Sequence, residues 1–129
     1  MAGGIEIRAA HFPGRAPIDA YGNGGFRFAD MSHRGSILCM PSGIHGWDVA
    51  DFEGLGEGDF TRLFDEAADF DILLLGTGKT LIPVPAELRK RFRAAGVAVE
   101  PMATGAAVRT YNVLLAEDRT VAAALIAVD

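Results

Sequence analysis

Two polar loops hold the residues of this chain whose types and spacing could do chemistry. The first is Gly76-Thr77-Gly78-Lys79, which closes the apolar run Ile72–Leu75; the second starts at Glu100 and runs through Thr104 to Arg109, Tyr111 and Asn112. A guanidinium and an ammonium brought to one place could clamp an anion, and Glu100 beside them could carry a proton. The loops meet if strands near 72 and 97 are parallel and the crossover between them is right-handed. The carboxyl ends of both strands then share one sheet edge, where Thr77, Lys79, Glu100 and Thr104 project. Arg109 lies between one and two turns into a helix starting near Thr104. There it can pair with Glu100 and fix the loop, or join Lys79 against an anion supported by helix N-terminal amides. The spacing leaves both open. Tyr111 and Asn112 read equally as core contacts with satisfied polar ends.

The elements that must position these loops follow from periodicity. Residues 5 to 46 read as a strand-rich third: Ile5 and Ile7 alternate, Gly24 and Gly25 punctuate, Phe26 and Phe28 alternate, and Ser36–Met40 is a short apolar run before Pro41. Trp47 and Val49 extend another strand. Gly54, Gly56 and Gly58 lead into a helix over about 57–68, with Phe60, Leu63, Phe64 and Ala67 on one face. The run at 72–75 is a strand covered on both faces. Pro85 suits the first turn of a helix that ends near Gly96 and turns Leu88, Phe92 and Ala95 inward. Residues 97–100 form the next strand, Thr104 caps a helix reaching about Leu115 with Ala107, Tyr111 and Leu114 on a shared face, and 121–128 return as a final strand. With no repeat, linker or low-complexity tract, residues 1–129 read as one domain, a β-rich lobe continuous with an α/β sheet.

Other motifs fall away on inspection. Gly78-Lys79-Thr80 imitates the end of a phosphate-binding P-loop, but that pattern needs glycine where Leu73 stands, and Pro83 and Pro85 keep the following segment extended where a P-loop enters its helix. The glycine turn reads instead as a tight turn whose backbone N–H groups face solvent or an anion. Cys39 with His45 as base would make a nucleophile, yet a cysteine inside an apolar strand is ordinarily an inert small hydrophobe. His11, His33 and His45 lack zinc-type spacing, and no metal site or cofactor signature is recognised. The cluster Arg89, Lys90, Arg91, Arg93 reads as a solvated helix face, with an acidic protein partner as the sharper alternative. A net charge of −5 argues against a nucleic-acid partner, and a single cysteine excludes an internal disulfide framework and suits a reducing compartment. Neither a secretory signal nor a run of about 20 apolar residues is present, so a cytoplasmic protein is expected.

In order along the chain, GGFRF (24–28), GSILCMPSGIHGWDV (35–49), LLLGTGKT (73–80) and VEPMATGAAVRTYNVLLAEDRTVAAALI (99–126) resemble the family of mitochondrial complex I assembly factor 3. That family includes the adipogenesis-associated domain protein and small bacterial relatives; the MATGAAVRTYN block is the most specific part. The resemblance implies a three-layer α/β domain with a central mixed sheet, flanking helices and an additional β layer. It implies no established enzyme activity and no catalytic residues. Gly76, Gly78, Glu100, Thr104, Arg109, Thr110, Tyr111 and Asn112 match the family's recurrent positions, and with Thr77 and Lys79 they form the candidate binding cleft. A non-catalytic binding or assembly protein is therefore expected, with respiratory complex I subunits or another assembly factor as partners. The alternative is a small-anion-binding protein or enzyme built on Lys79 and Arg109. The chain begins almost at its first expected strand, without a mitochondrial targeting extension, which favours a bacterial cytoplasmic member.

Overall fold

An uninterrupted apolar strand has to be covered on both faces, and the computed structural model, which describes residues 10–129, covers this one twice over. Strands β1 (His11–Phe12), β5 (Ser36–Met40), β6 (Gly43–Trp47), β7 (Ile72–Gly76), β8 (Ala98–Met102) and β9 (Val121–Leu125) form a mixed sheet in the order β1-β6-β5-β9-β7-β8. β7 is parallel to both β8 and β9, while β5 pairs antiparallel with β9 and with β6. Strands β2 (Ala20–Gly22), β3 (Gly25–Phe28) and β4 (Met31–Arg34) form a separate antiparallel sheet. The helices are α1 (Thr61–Asp65), α2 (Ala86–Ala94) and α3 (Thr104–Ala116). The expected strand at Ile5 and Ile7 lies outside the described residues.

Alternation along the strands divides the core into two. Leu38, Met40, Leu73, Leu75, Ala122 and Ala124 meet Phe60, Leu63, Leu88 and Phe92 on one face. Ile37, Cys39, Leu74, Ala123 and Leu125 meet Ala107, Val108 and Tyr111 of α3, together with Phe26 and Phe28 of the small sheet, on the other. The result is three layers: α1 and α2, the six-stranded sheet, and α3 beside the small sheet. The additional β layer is the β2-β3-β4 sheet.

Several boundaries differ from the sequence reading. The expected helix over 57–68 is a chain of short turns, a 3-10 turn at Glu57–Phe60, α1, and a second 3-10 turn at Ala67–Asp69. Phe60, Leu63, Ala67 and Phe70 are all buried, and short turns bring all four to one core. β8 runs on to Met102, and β9 stops at Leu125 rather than 128, because the tail leaves it to make other bonds: Ala127 N–H donates to Ser36 Oγ and Gly24 N–H donates to the Val128 carbonyl. β6 ends at Trp47, where Val49 N–H folds back onto the Trp47 carbonyl.

Two helix ends share one geometry but not one residue. At the end of α2, Val97 N–H reaches the Phe92 carbonyl and Gly96 N–H the Arg93 carbonyl, with Gly96 at φ +85°. At the end of α3, Arg119 and Asp118 make the same two bonds to Leu114 and Leu115, but the left-handed position is Asp118 at φ +58°. A carboxylate there also opposes the negative end of the helix dipole. Asp118→Gly is expected to stabilise the fold by about 0.5–1 kcal/mol, the backbone strain relieved less the extra freedom of unfolded glycine. Urea unfolding checks this; an unchanged or lower midpoint contradicts it.

Candidate functional site

The carboxyl ends of β7, β8 and β9 do lie on one edge, since the three strands are parallel. What they present there differs from the expectation. Thr104 is wholly buried, and its Oγ1 donates to the Ile126 carbonyl at 2.7 Å while accepting from Gly78 N–H at 3.1 Å. Its own N–H donates to the Gly78 carbonyl at 2.8 Å. Thr104 does not cap α3: Ala103 holds the N-cap position with no side-chain bond, and Thr104 is the first helical residue. Gly78, at φ +117°, supplies a left-handed turn that glycine alone adopts freely, but its N–H points inward to Thr104 rather than to solvent or an anion. Gly76 answers to close approach, because a Cβ there would lie 3.0 Å from Leu125 Cδ2 and 3.1 Å from Thr104 Oγ1.

Thr77 closes the same seam from the β8 side. Its N–H donates to the Met102 carbonyl, its Oγ1 donates to the Thr80 carbonyl at 2.7 Å, and Ile82 N–H donates to that oxygen at 2.9 Å. Lys79 is exposed, with Nζ 3.5 Å from Asp129 Oδ2. Glu100 is exposed on β8, at the edge of the sheet, and Arg109 is exposed on α3; among the described residues no ion pair joins them. Thr110 is half-buried and Tyr111 fully buried, its hydroxyl without a hydrogen-bond partner among the described residues and its pKa raised, first by burial and then by the nearby Cys39. Asn112 grips the backbone of Ile18 twice: its Oδ1 accepts from Ile18 N–H at 2.9 Å and its Nδ2 donates to the Ile18 carbonyl at 2.8 Å. It stands in for a β-strand neighbour and pins the start of the small sheet to α3.

Three arrangements escaped the sequence reading. Tyr21 lies over the first turn of α3, where a Cβ on Gly105 would strike the phenol oxygen. Ser42 Oγ donates to Glu66 Oε2 at 2.7 Å and sits 3.2 Å from His45 Nε2. Asn23 (φ +52°) and Gly24 (φ +79°) form the two-residue hairpin between β2 and β3, and the Asn-Gly pair is the signal that could have found it. Cys39 and His45 do not form a dyad: in the β5–β6 register Cys39 faces Ile44 while Leu38 faces His45, so the thiol and the imidazole point to opposite faces. Burial alone pushes the Cys39 thiol up, away from thiolate. Among the described residues no three His, Cys, Asp or Glu side chains come together as a metal set.

The basic cluster on α2 is partly engaged. Arg89 Nη1 donates to the Val99 carbonyl at 3.1 Å, covering the outer edge of β8, where Pro101 already lacks a donor. Arg91 Nη1 donates to Glu57 Oε2 at 2.9 Å and lies over the Phe64 ring.

Two measurements test this geometry. Thr104→Val keeps the shape but leaves the Ile126 carbonyl and the Gly78 amide unpaired, and is expected to cost about 2–3 kcal/mol, with Thr104→Ser close to the parent. A valine variant as stable as the parent would contradict the seam. His45 is held below the ordinary imidazole pKa by burial and then by Arg62. The folded chain thus binds fewer protons here than the unfolded one, so this contribution is complete above about pH 6.5 and is lost as the pH falls. His45→Gln is expected to flatten that part of the stability profile; identical profiles contradict the assignment.

Residues 18–126 match a family described as "Protein of unknown function (DUF498/DUF598)". An uncharacterised protein of Rhodobacter capsulatus is 40% identical over 119 residues, covering 92% of this chain and 90% of that protein. NADH dehydrogenase (ubiquinone) 1 alpha subcomplex assembly factor 3 of Mus musculus is 28% identical over 122 residues, 95% of this chain but 66% of that protein, so the chain spans just under two thirds of its length. A crystal structure titled as an outer membrane protein from Bartonella henselae superposes with a TM-score of 0.88 at 59% identity, over 92% of this chain and all of that one. A Bordetella pertussis protein solved in solution and described as a Mth938-like domain gives a TM-score of 0.76 at 26% identity, over 87% of this chain and 85% of that one. The chain therefore belongs to the DUF498/DUF598 family, with the Mth938-like fold and with complex I assembly factor 3 proteins among its relatives.

Proposed function

We propose that this chain is a non-catalytic binding protein that holds a partner subunit during assembly of a respiratory NADH dehydrogenase. The observation that carries this reading is the closed seam: both threonines and the Gly78 amide at the strand ends are bonded to their own chain. The anion clamp finds less support, because Lys79 stands against the Asp129 carboxylate. Contact then falls to the outer surface of α3. Arg109 and Val113 stand four residues apart on one stripe of the helix, both exposed, Val113 at 56%. Arginine is among the residues enriched at protein contacts, and Val113 is one of three large apolar side chains exposed among the described residues. The relatives named for complex I assembly support this class of partner. A cytoplasmic site of action completes this reading, and no helix among the described residues is long and apolar enough to cross a membrane. The Bartonella henselae relative is described as an outer membrane protein, and fractionation of the native host tests the assignment: recovery in the cytoplasmic fraction is expected, and recovery in the outer membrane contradicts it.

The test is affinity capture of the tagged chain from its native host, with protein identification by mass spectrometry. Peripheral-arm subunits or an assembly partner are expected to be enriched, and a doubly substituted Arg109→Glu, Val113→Asp chain with parental stability is expected to lose them at least tenfold. Capture without such proteins, or undiminished capture by the variant, contradicts the proposal.

A further inference from the structure

The small sheet has two unlike faces. Tyr21, Phe26 and His33 stand in one cross-strand row, with Phe28 and Met31 in the next on the same side, and Phe26 and Phe28 are buried in the α3-side core. The opposite side carries the rows Ala20–Arg27–Ser32 and Gly22–Gly25–Arg34. Arg27 and Arg34 are both exposed there, on neighbouring strands and diagonal to one another, with Cβ atoms roughly 7 Å apart in such a register. The row between β2 and Arg34 has no side chains, and a Cβ on Gly25 would strike the His33 carbonyl oxygen, so the packing of β3 on β4 keeps that position bare.

These strands line a groove of about 430 Å³, within the usual range for small-molecule sites, and its lining contains Arg27, Arg34, Ser32 and Asn23 but no carboxylate. In a chain of net charge −5 that is a local reversal of sign. Among the described residues neither guanidinium meets an acidic partner. Two exposed arginines thus share one face of the sheet across a row of glycines, with Ser32 in the same row as Arg27. The Asp129 backbone oxygen lies 4.0 Å from where a Cβ on Gly22 would stand. A carboxylate has two oxygens to meet two guanidinium groups and a hydroxyl, whereas a phosphate group has three or more.

From this the geometry points to a binding site for a small phosphate-bearing molecule on the outer face of the β2-β3-β4 sheet, gripped by Arg27 and Arg34 with Ser32. The site is separate from the strand-end seam and from the outer stripe of α3. The inference is one of binding: Arg27, Arg34 and Ser32 serve as hydrogen-bond donors to the ligand, and no reaction is assigned to the groove.

The experiment is a nitrogen-15 NMR titration of the full chain with inorganic phosphate and with phenyl phosphate, at ionic strength held constant with sodium chloride. Saturable shifts centred on the amides of Gly22, Gly25, Ser32 and Arg34 are expected, with phenyl phosphate binding at least as well as inorganic phosphate. Arg27→Gln and Arg34→Gln, both exposed positions, are each expected to raise the dissociation constant at least tenfold, and Arg93→Gln to leave it unchanged. Shifts that stay linear with phosphate, shifts centred on α2, or an Arg27→Gln chain that binds like the parent would overturn the site. Acetate saturating the same amides as tightly as phosphate would overturn its assignment to phosphate.

Discussion

The side chain of Thr104 holds three elements together, and the parallel half of the sheet depends on it. Its hydroxyl is fully buried, so it must be bonded, and the partners it finds are the carbonyl just past the end of β9 and the amide of the turn after β7. The backbone around it repeats the connection: Thr104 N–H donates to Gly78 and Ile126 N–H to Gly76. Such an approach of helix to strand leaves little room at position 76: a Cβ there would sit 3.0–3.1 Å from Leu125 and Thr104 and would push them aside, which favours glycine. Thr77 adds the end of β8 through Met102. The carboxyl edge of the parallel strands, where open α/β sheets commonly receive ligands, is here closed on itself.

That closure fixes the rest of the α3 layer. With its first residue locked to β7 and β9, α3 lies across both strands, sending Ala107, Val108 and Tyr111 into the core. β9 is centrally placed, and its run of three alanines, all fully buried, lets the layers on both sides approach closely. The flank of α3 that carries Gly105 and Asn112 then receives the chain entering β2, held by Asn112 at Ile18 and by Tyr21 over Gly105. The small sheet therefore sits where α3 places it, with one side in the core and its arginines facing out.

The parallel strand pair, the two crossover helices and the inward stripe of α3 were legible because each has a local cause: an apolar run, a proline at a helix start, a glycine at a helix end, a spacing of three and four. Thr104 was visible as a residue of importance but assigned the wrong bond. A threonine before a helix ordinarily caps it, and only the fold shows that the Ile126 carbonyl just past β9, over twenty residues away, competes for the hydroxyl. The turns over 57–69 were misread as one helix because apolar spacings of three and four suit either. Tyr21 on Gly105 and Ser42 on Glu66 are contacts between distant segments with no periodic trace, so no local pattern could reveal them. Topology led to the expectation that Thr77, Lys79, Glu100 and Thr104 project from one edge, with Gly76 and Gly78 added by the family resemblance; that Thr77, Gly78 and Thr104 are bonded to their own chain had no local trace.

Whether that edge is a seam or a receptive cleft is decided most directly by hydrogen exchange of the Gly78, Thr104 and Ile126 amides in the native chain. The seam predicts that all three exchange only through unfolding of the whole domain, with protection matching the global stability measured by urea. Rapid exchange at Gly78, with its neighbours in β7 still protected, would mean that this amide is open to solvent and available to a ligand, and would contradict the account.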